Sequence, residues 1–196
     1  MNYPTLWEAV EKTLGKCPTD SAYARFEELA FEKSFDKKDF FVEPGRPCNY
    51  QYFILKGSCF SYYINDKGDK NAIQFALENY WITDSASYFT DHPAVSTIET
   101  LEPTRVLMLS KQSFALLCDS DPVWDRYFRV LLQNYLAHLH YRIAKTNSEE
   151  AEHRYLEFAR IYPHFIQRIP QYLIASYLGI KPQSLSRIRK ELANKR

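Results

Sequence analysis

The chain has 196 residues, of which 45% are hydrophobic and 25% charged, so its composition predicts a folded protein with a buried core and excludes a disordered one. Its formal net charge is only +1, and no stretch reaches the roughly 18 uncharged apolar residues of a membrane span. The first residues include acids and lack the apolar segment of a signal peptide. We therefore expect a cytoplasmic protein with no membrane partner.

Four cysteines stand at positions 17, 48, 59 and 118, and no pair has the spacing of a metal finger or an iron–sulfur site. In a reducing compartment free thiols are the default, with redox sensing as the alternative. His138 and His140 lie on different faces of a predicted helix, and no further ligand accompanies them. We expect no metal site and no cofactor.

Residues 5 to 30 carry apolar side chains at helical spacing and predict short helices. After Phe31 the pattern changes to short runs rich in β-branched and aromatic residues, separated by turn sequences with Gly, Pro, Asn and Asp. These predicted strands lie within residues 40–42, 52–55, 59–64, 72–77, 96–101 and 105–109. Many short strands at near-regular spacing predict an antiparallel barrel, roll or sandwich.

Asp121 and Pro122 predict the start of a long helix, because an acidic N-cap supplies an acceptor and proline at the first position loses no needed donor. Without Gly or Pro before Lys145, this helix has about 25 residues and is roughly 38 Å long. One hypothesis is a dimerisation helix that packs against its two-fold mate, and the alternative is a helix lying on its own β domain. The apolar stripe in question consists of Trp124, Phe128, Leu131, Tyr135 and Leu139.

Ser148 precedes the acidic pair Glu149 and Glu150 and a further helical pattern, so we interpret it as the start of the next helix, which Pro163 ends. Residues 145–147 are the predicted hinge between domains. The predicted division of the chain is 1–120 for the β domain, 121–146 for the long helix and 147–196 for the C-terminal domain.

Residues 169–196 have the pattern of a helix-turn-helix, in which two helices cross closely over a short turn. Ala175 supplies the small residue at the crossing, and Gly179, four residues later, tolerates the positive φ of the turn. Pro182 lies where the second helix should begin, a position that needs no amide hydrogen. The inner faces of both helices are apolar, through Ile174, Leu178, Ile180, Leu185 and Ile188.

Charge is distributed unevenly along the chain. Residues 151–196 hold nine Lys and Arg against three Asp and Glu, a net charge of +6, whereas residues 1–150 have a net charge of −5. This asymmetry is typical of a basic module that binds a polyanion beside an acidic module with another role.

The second helix of the motif has no carboxylate before Glu191, which favours a helix in the major groove over an ordinary helical hairpin. Gln183 and Arg187 suit base edges, whereas lysines and a serine suit phosphates. The candidate DNA-binding residues are Lys181, Gln183, Ser184, Arg187, Arg189 and Lys190.

In the first half, residues 52–58 read Tyr-Phe-Ile-Leu-Lys-Gly-Ser, after a Pro44-Gly45 turn and before a charged hairpin at residues 65–70. With both halves in view, nearly the whole sequence resembles the bacterial regulators related to the cyclic-AMP receptor protein and the fumarate–nitrate regulator, the Crp/Fnr family. The resemblance implies an α+β fold with an N-terminal antiparallel β-roll of the cyclic-nucleotide-binding type, a long dimerisation helix and a C-terminal winged-helix-like helix-turn-helix. It also implies that Gln183, Ser184 and Arg187 occupy base- and backbone-contacting positions.

The sequence departs from this family in its pocket. Family members hold the ribose with a Gly-Glu pair and the cyclic phosphate with Arg followed by Ser or Thr, but residues 94 and 95 here are Ala and Val. We therefore do not expect cyclic AMP to bind. Either a small apolar or aromatic effector occupies the roll, or the roll is solidly packed and needs no effector. The candidate pocket residues are Glu78, Tyr80, Trp81, Tyr88, Ala94 and Val95.

Two further departures concern the ends of the sequence. No N-terminal cysteine cluster is present to hold an iron–sulfur centre. The sequence ends soon after the second helix of the motif, so we expect the two-stranded wing to be short or missing.

Together these observations predict a homodimeric transcription regulator that binds a pseudo-palindromic site on double-stranded DNA, with RNA polymerase and an unidentified small effector as further partners. The alternative is an effector-binding or protein-interaction module without specific DNA readout. We expect no enzyme, because no catalytic motif stands in a supporting context and the acidic pair at 149–150 fits a helix start.

Overall fold

The structure, a computed structural model, describes residues 3–194. Lys195 and Arg196, which contribute to the basic C-terminal segment, lie outside the described residues. Along the chain the elements are α1 (Pro4–Leu14), α2 (Asp20–Leu29), β1 (Phe31–Phe35), β2 (Phe40–Val42), β3 (Tyr50–Lys56), β4 (Cys59–Ile64), β5 (Lys70–Ala76), β6 (Trp81–Ile82), α3 (Ser85–Thr90), β7 (Thr97–Thr100), β8 (Thr104–Ser110), α4 (Lys111–Ser120), α5 (Pro122–Ser148), α6 (Ala151–Ile161), α7 (Pro163–Arg168), α8 (Gln171–Tyr177) and α9 (Pro182–Asn194).

The strands form two four-stranded antiparallel sheets, with the orders β1-β8-β3-β6 and β2-β7-β4-β5. Their inner faces enclose a core that includes Val42, Tyr52, Ile54, Ile98 and Val106. The predicted α+β class and antiparallel roll are therefore confirmed. Strands β1 and β6 and helices α3 and α4 were not predicted.

Strand β3 shows why the first domain contains unbroken apolar runs. Tyr52 and Ile54 point into the core between the sheets, whereas Phe53 points outward into a second cluster. Both faces of this sheet are covered, so successive residues are buried and the alternation of a half-exposed strand is lost.

The second cluster lies on the outer face of the first sheet, under α1, α2, α4 and the start of α5. Trp124 is fully buried there, with its ring centroid 5.2 Å from that of Phe26 and 6.0 Å from that of Trp7. Phe128 is also buried, 4.8 Å from the ring of Phe114. The first turns of α5 thus pack against the chain's own β domain.

This packing corrects the predicted dimer stripe. Trp124 and Phe128 are covered by their own domain and cannot also contact a second copy, and Leu131 packs partly against the same cluster. Tyr135 and Leu139, further along, are only partly buried. The stripe follows the alternative that a helix lies on its own β domain.

Helix α5 begins as predicted, with the Asp121 carboxylate accepting a hydrogen bond of 2.9 Å from the backbone N–H of Val123 and with Pro122 in the first turn. It ends at Ser148, two residues later than predicted, and Glu150 is the N-cap of α6. The predicted hinge at residues 145–147 and the predicted N-cap at Ser148 are wrong, because the helical hydrogen bonds of α5 continue through them. The chain turns at Glu149 and Glu150.

The C-terminal helices pack on the outer face of β4 and β5 through a third cluster that runs continuously across both parts of the chain. Phe60 and Phe75 from the sheet contribute to it together with Phe158 and Phe165 from α6 and α7. The hydroxyl of Ser176 accepts a hydrogen bond from the backbone N–H of Ala72 at the edge of β5. Within residues 3–194, no helix is both long and apolar enough to cross a membrane.

The turn between β3 and β4 offers a test of this architecture. Gly57 has φ +103°, and a Cβ there would lie 2.6 Å from Thr104 Oγ1 and 2.7 Å from the carbonyl oxygen of Pro103. Gly68, at the β4–β5 turn, has φ +82° but open space around it. Both glycines adopt a backbone that other residues disfavour, but only Gly57 is also sterically closed.

We expect Gly57→Ala to lower the free energy of unfolding by about 1–3 kcal/mol more than Gly68→Ala, since only the first adds overpacking to backbone strain. Urea unfolding followed by circular dichroism measures both changes. Equal losses for the two variants would contradict the close approach of the turn to Thr104.

Candidate DNA-binding surface and effector cavity

Helices α8 and α9 form the predicted helix-turn-helix. Ala175 is fully buried between them, and Gly179 has φ +63° in the turn. The backbone N–H of Ile180 donates to the carbonyl of Ala175 over 2.9 Å, and Pro182 occupies the first position of α9. Leu185 and Ile188 are buried, so the inner face of α9 is held and its outer face is left to solvent.

Three of the predicted DNA-binding residues share the outer face of α9. At about 100° per residue, Gln183, Arg187 and Lys190 lie within about 60° of one another, and all three are exposed. Ser184, partly exposed, stands beside them at the first turn, and the exposed Lys181 precedes the helix.

Arg189, also in the predicted set, lies on another side of α9. It follows Arg187 by two residues, which rotates it by about 200° around the helix, and it is partly covered. Arg189 therefore does not share the face of Gln183, Arg187 and Lys190. Arg187 has one loose ion pair across the surface, 3.9 Å from Glu191, and is 74% exposed, which leaves its guanidinium available.

A cavity of about 270 Å³ lies between the β-roll and α5. Its wall carries aromatic, aliphatic and amide side chains and no charged residue, which suits an uncharged ligand. The lining residues are Gln51, Gln74, Asn79, Tyr80, Trp81, Ile82, Thr83, Ser85, Phe89, Phe114, Phe128, Leu131, Leu132 and Tyr135.

Tyr80 and Trp81 of the predicted pocket set line this cavity, and Glu78 and Tyr88 do not. Glu78 turns away because its carboxylate binds Arg168 at 2.5 Å and the backbone N–H of Gly57 at 2.8 Å. Burial alone would raise the pKa of Glu78, but these bonds lower it. Tyr88 is buried behind the wall, with its ring 5.0 Å from that of Phe89.

Ala94 and Val95 also lie away from the cavity. Ala94 is buried and its backbone bonds to the Pro44-Gly45 turn region, through Gly45 at 2.8 Å and Arg46 at 2.9 Å. The side chain of Val95 is exposed. Their neighbour Asp84 was not among the predicted residues.

Asp84 is a buried carboxylate whose oxygens accept hydrogen bonds from two segments of the chain. It accepts hydrogen bonds from the backbone N–H groups of Ser87, Val95 and Ser96, at 3.0, 3.3 and 3.0 Å, and from the Ser96 hydroxyl at 2.6 Å. Burial alone would raise the pKa of Asp84, but these donors lower it. An N-terminal helix cap is the sequence signal that could have revealed it, since Asp84 caps α3.

This arrangement disfavours a cyclic phosphate. Asp84 and Val95 belong to the two stretches that the resemblance aligns with the ribose and phosphate sites, and here they bind each other. A phosphate at these amides would compete with the Asp84 carboxylate and meet its negative charge at close range. The residues present therefore do not fit a cyclic nucleotide bound in the family's manner.

A different stripe of α5 is open to contact. Leu132, Leu136, Leu139 and Ile143 follow one another at intervals of four, three and four residues, the spacing of a coiled-coil seam. Leu132, Leu136 and Ile143 are 43%, 54% and 56% exposed. We call these four residues the α5 seam. Leu139 is shared with the predicted dimer stripe.

The remaining candidates have ordinary surroundings. Among residues 3–194, no group of three His, Cys, Asp or Glu side chains is placed to hold a metal ion. His138 Nε2 lies 2.8 Å from the Tyr177 hydroxyl, and burial, followed by the charge of Arg142, lowers the pKa of this imidazole. Burial and nearby Asp side chains raise the pKa of Cys118 to about 11, which keeps it a thiol.

Comparison with known proteins agrees with this architecture. Residues 32–121 match the family model of the cyclic nucleotide-binding domain. Among solved structures, FixK2 from Bradyrhizobium japonicum has a TM-score of 0.70 at 18% identity, over 85% of this chain and 86% of that one. The c-di-GMP-responsive global regulator CLP of Xanthomonas campestris has a TM-score of 0.69 at 13% identity, over 90% of this chain and 93% of that one.

The catabolite activator protein of Thermus thermophilus is more distant, with a TM-score of 0.58 at 14% identity over 90% of this chain and 84% of that one. No curated protein sequence matches the chain. The chain thus shares its fold with these solved structures. The fold expected from the resemblance to the Crp/Fnr regulators, a β-roll followed by a long helix and a helix-turn-helix, is therefore confirmed.

Asp84 gives a pH-dependent test. We expect Asp84→Asn to cost about 2–3 kcal/mol near neutral pH, because the amide nitrogen of Asn is a donor facing donors and one acceptor is lost. A carboxyl with a lowered pKa stabilises the fold fully above its ordinary pKa and loses that contribution as the pH falls through the lowered pKa, so the difference in stability between the two proteins should begin to shrink below about pH 4.

Urea unfolding of both proteins between pH 3 and pH 7 measures the difference. Asp66→Asn, an exposed change at the β4–β5 turn, is the matched control and should leave stability within about 0.5 kcal/mol. A loss for Asp84→Asn that does not vary with pH would contradict the role given to this carboxylate.

Proposed function

We propose that this protein is a DNA-binding transcriptional regulator that binds a pseudo-palindromic site as a homodimer and responds to an uncharged small molecule in the β-roll cavity. The observation that carries the proposal is the outer face of α9, where Gln183, Arg187 and Lys190 are exposed together on the second helix of a helix-turn-helix. This face has the donors and cations that major-groove recognition requires.

Each residue of this face has a distinct role in the proposal. Gln183 and Arg187 contact base edges, Gln183 suiting adenine and Arg187 suiting guanine by paired hydrogen bonds. Lys181, Ser184 and Lys190 bind phosphates and fix the register of the helix on the duplex. RNA polymerase is the protein partner with which such a regulator would interact.

The α5 seam supports the homodimer. A second copy related by a two-fold axis would place the same four apolar side chains opposite one another, which removes exposed leucines from water. Two recognition helices would then enter successive major grooves about 34 Å apart. The division of the chain at residues 120 and 146 stays a prediction, with the observed end of α5 at Ser148.

The cavity supports an effector without a charge. Its wall offers Gln51, Gln74 and Asn79 as hydrogen-bonding groups among aromatic rings, and cyclic nucleotides are disfavoured by Asp84. Tyr80 also contacts the C-terminal helices, with its ring centroid 5.4 Å from that of Phe165. A ligand against Tyr80 therefore touches a residue that the DNA-binding unit packs on.

Selection of bound duplexes from a random pool, with and without cell extract, tests DNA binding and effector dependence together. We expect one enriched pseudo-palindrome, and an affinity for it that falls steeply with salt because phosphate contacts release counterions. A helical tail that docks a protein partner would select no duplex and would retain its partner at high salt.

On the selected site, Gln183→Ala with Arg187→Ala should abolish sequence preference, at a cost of about 1–3 kcal/mol for each lost base contact, and leave weak non-specific binding. Arg189→Ala removes the same charge as Arg187→Ala from another face of α9 and is the matched control. Fluorescence anisotropy with specific and scrambled duplexes measures both. If Arg189→Ala weakens specific binding as much as Arg187→Ala, the assigned face of α9 is wrong.

For the dimer, Leu136→Glu should give a monomer, because two carboxylates would face each other across an apolar seam. Asn134→Glu, an exposed change on the opposite side of α5, should leave the dimer intact. Sedimentation velocity at micromolar concentration distinguishes the two states. A Leu136→Glu protein that stays dimeric would exclude the α5 seam as the interface.

A further inference from the structure

Arg154, on α6, is one of the nine basic residues of the C-terminal segment, but its guanidinium binds backbone. Nε donates to the carbonyl oxygen of Leu178 over 3.1 Å, and Nη2 donates to that of Gly179 over 3.4 Å. Nη1 donates to the carbonyl of Glu149 and lies 3.5 Å from that of Thr146. One side chain thus connects the end of α5 with the turn of the helix-turn-helix.

The partners of Arg154 explain why an arginine stands there. The last carbonyls of a helix receive no hydrogen bond from an N–H group of the same helix, and together they carry a partial negative charge. Here two helices end beside each other, α5 at Ser148 and α8 at Tyr177. A planar cation with five donors spread over three nitrogens can reach carbonyls of both ends at once, whereas a lysine carries its three donors on a single nitrogen.

A separate contact brings the same two ends together. A Cβ on Gly179 would lie 3.1 Å from Thr146 Cγ2, in the last turn of α5. Gly179 therefore meets two demands, a φ of +63° and a close approach to α5. The turn of the helix-turn-helix is seated directly on the end of the long helix.

We infer that Arg154 is a positioning residue, which holds the turn of the helix-turn-helix on the end of α5 and so sets the separation of the two recognition helices in the dimer. The inference rests on the proposed function. Because α5 carries the seam, a change in the angle between α5 and α9 occurs in both chains and moves both recognition helices relative to the two-fold axis. If this angle is fixed, the dimer binds half-sites at one spacing. If the angle varies, the dimer binds half-sites at several spacings.

The test compares Arg154→Lys with Arg160→Lys, an exposed arginine on the same helix that undergoes the same chemical change. Each variant is titrated with the selected duplex, with duplexes whose half-sites are moved apart or together by one and two base pairs, and with a single half-site. Each inserted base pair moves a half-site by about 3.4 Å along the duplex and rotates it around the axis.

We expect the wild-type chain and Arg160→Lys to prefer the selected spacing by at least about tenfold, and Arg154→Lys to retain a preference of about threefold or less. Affinity for the single half-site should agree within about twofold among all three proteins. If Arg154→Lys keeps the wild-type preference, or loses half-site and full-site affinity by the same factor, the positioning role is refuted.

A second readout does not depend on DNA. Spin labels are placed at Ala137 on α5 and Ala193 on α9, both exposed, in a chain that also carries Cys17→Ser and Cys118→Ser. The labelled chain is diluted with unlabelled chain. The distribution of distances between the two labels then reports the angle between the two helices. Arg154→Lys should broaden that distribution, and Arg160→Lys should not. A wild-type chain that selects no duplex would refute the proposed function, whereas an unchanged distribution in Arg154→Lys would refute the positioning role.

Discussion

The burial of Trp124 and Phe128 against the β domain decides how the rest of the molecule is arranged. These two side chains anchor the first turns of α5 on the first sheet. Because α5 is one continuous helix of 27 residues, roughly 40 Å long, this packing fixes the direction of its whole axis. The part of α5 beyond Leu131 continues in that direction. The cavity lies under the first part of α5, the seam runs along the part beyond it, and the C-terminal helices begin where α5 ends.

The second sheet supports the other end of this arrangement. The C-terminal helices pack on its outer face through a continuous apolar cluster. Arg168 of α7 also forms ion pairs with Glu78 and Glu102 of the β domain. Charge and apolar packing act together here, since a partly exposed ion pair alone contributes little. Two acidic residues of the first domain, Glu78 and Glu102, thus help to hold the basic C-terminal segment in place.

Local rules were enough for the features that depend on neighbours in sequence. The N-cap at Asp121, the Ala175 and Gly179 pair and the proline at the start of α9 were all predictable, since each constraint acts within a few residues. Periodicity also found an apolar stripe on α5, but it could not say what covers the stripe, which is decided by α1, α2 and α4. Strand β1 escaped prediction because it is an exposed edge strand with polar residues. The cavity wall comes from six separate elements and was visible only at Tyr80 and Trp81.

Leu132 belongs both to the cavity wall and to the α5 seam. Under the proposed function this side chain would border both the effector and the dimer interface, and a coupling between two binding events is reciprocal. In the proposed dimer, a molecule whose affinity for the cavity depends on the position of Leu132 would change the association of the two chains, and association would change the affinity for that molecule by the same factor. Ligand occupancy in such a protein would vary with the concentration of the protein itself, so the abundance of the chain becomes one of the signals that it reports.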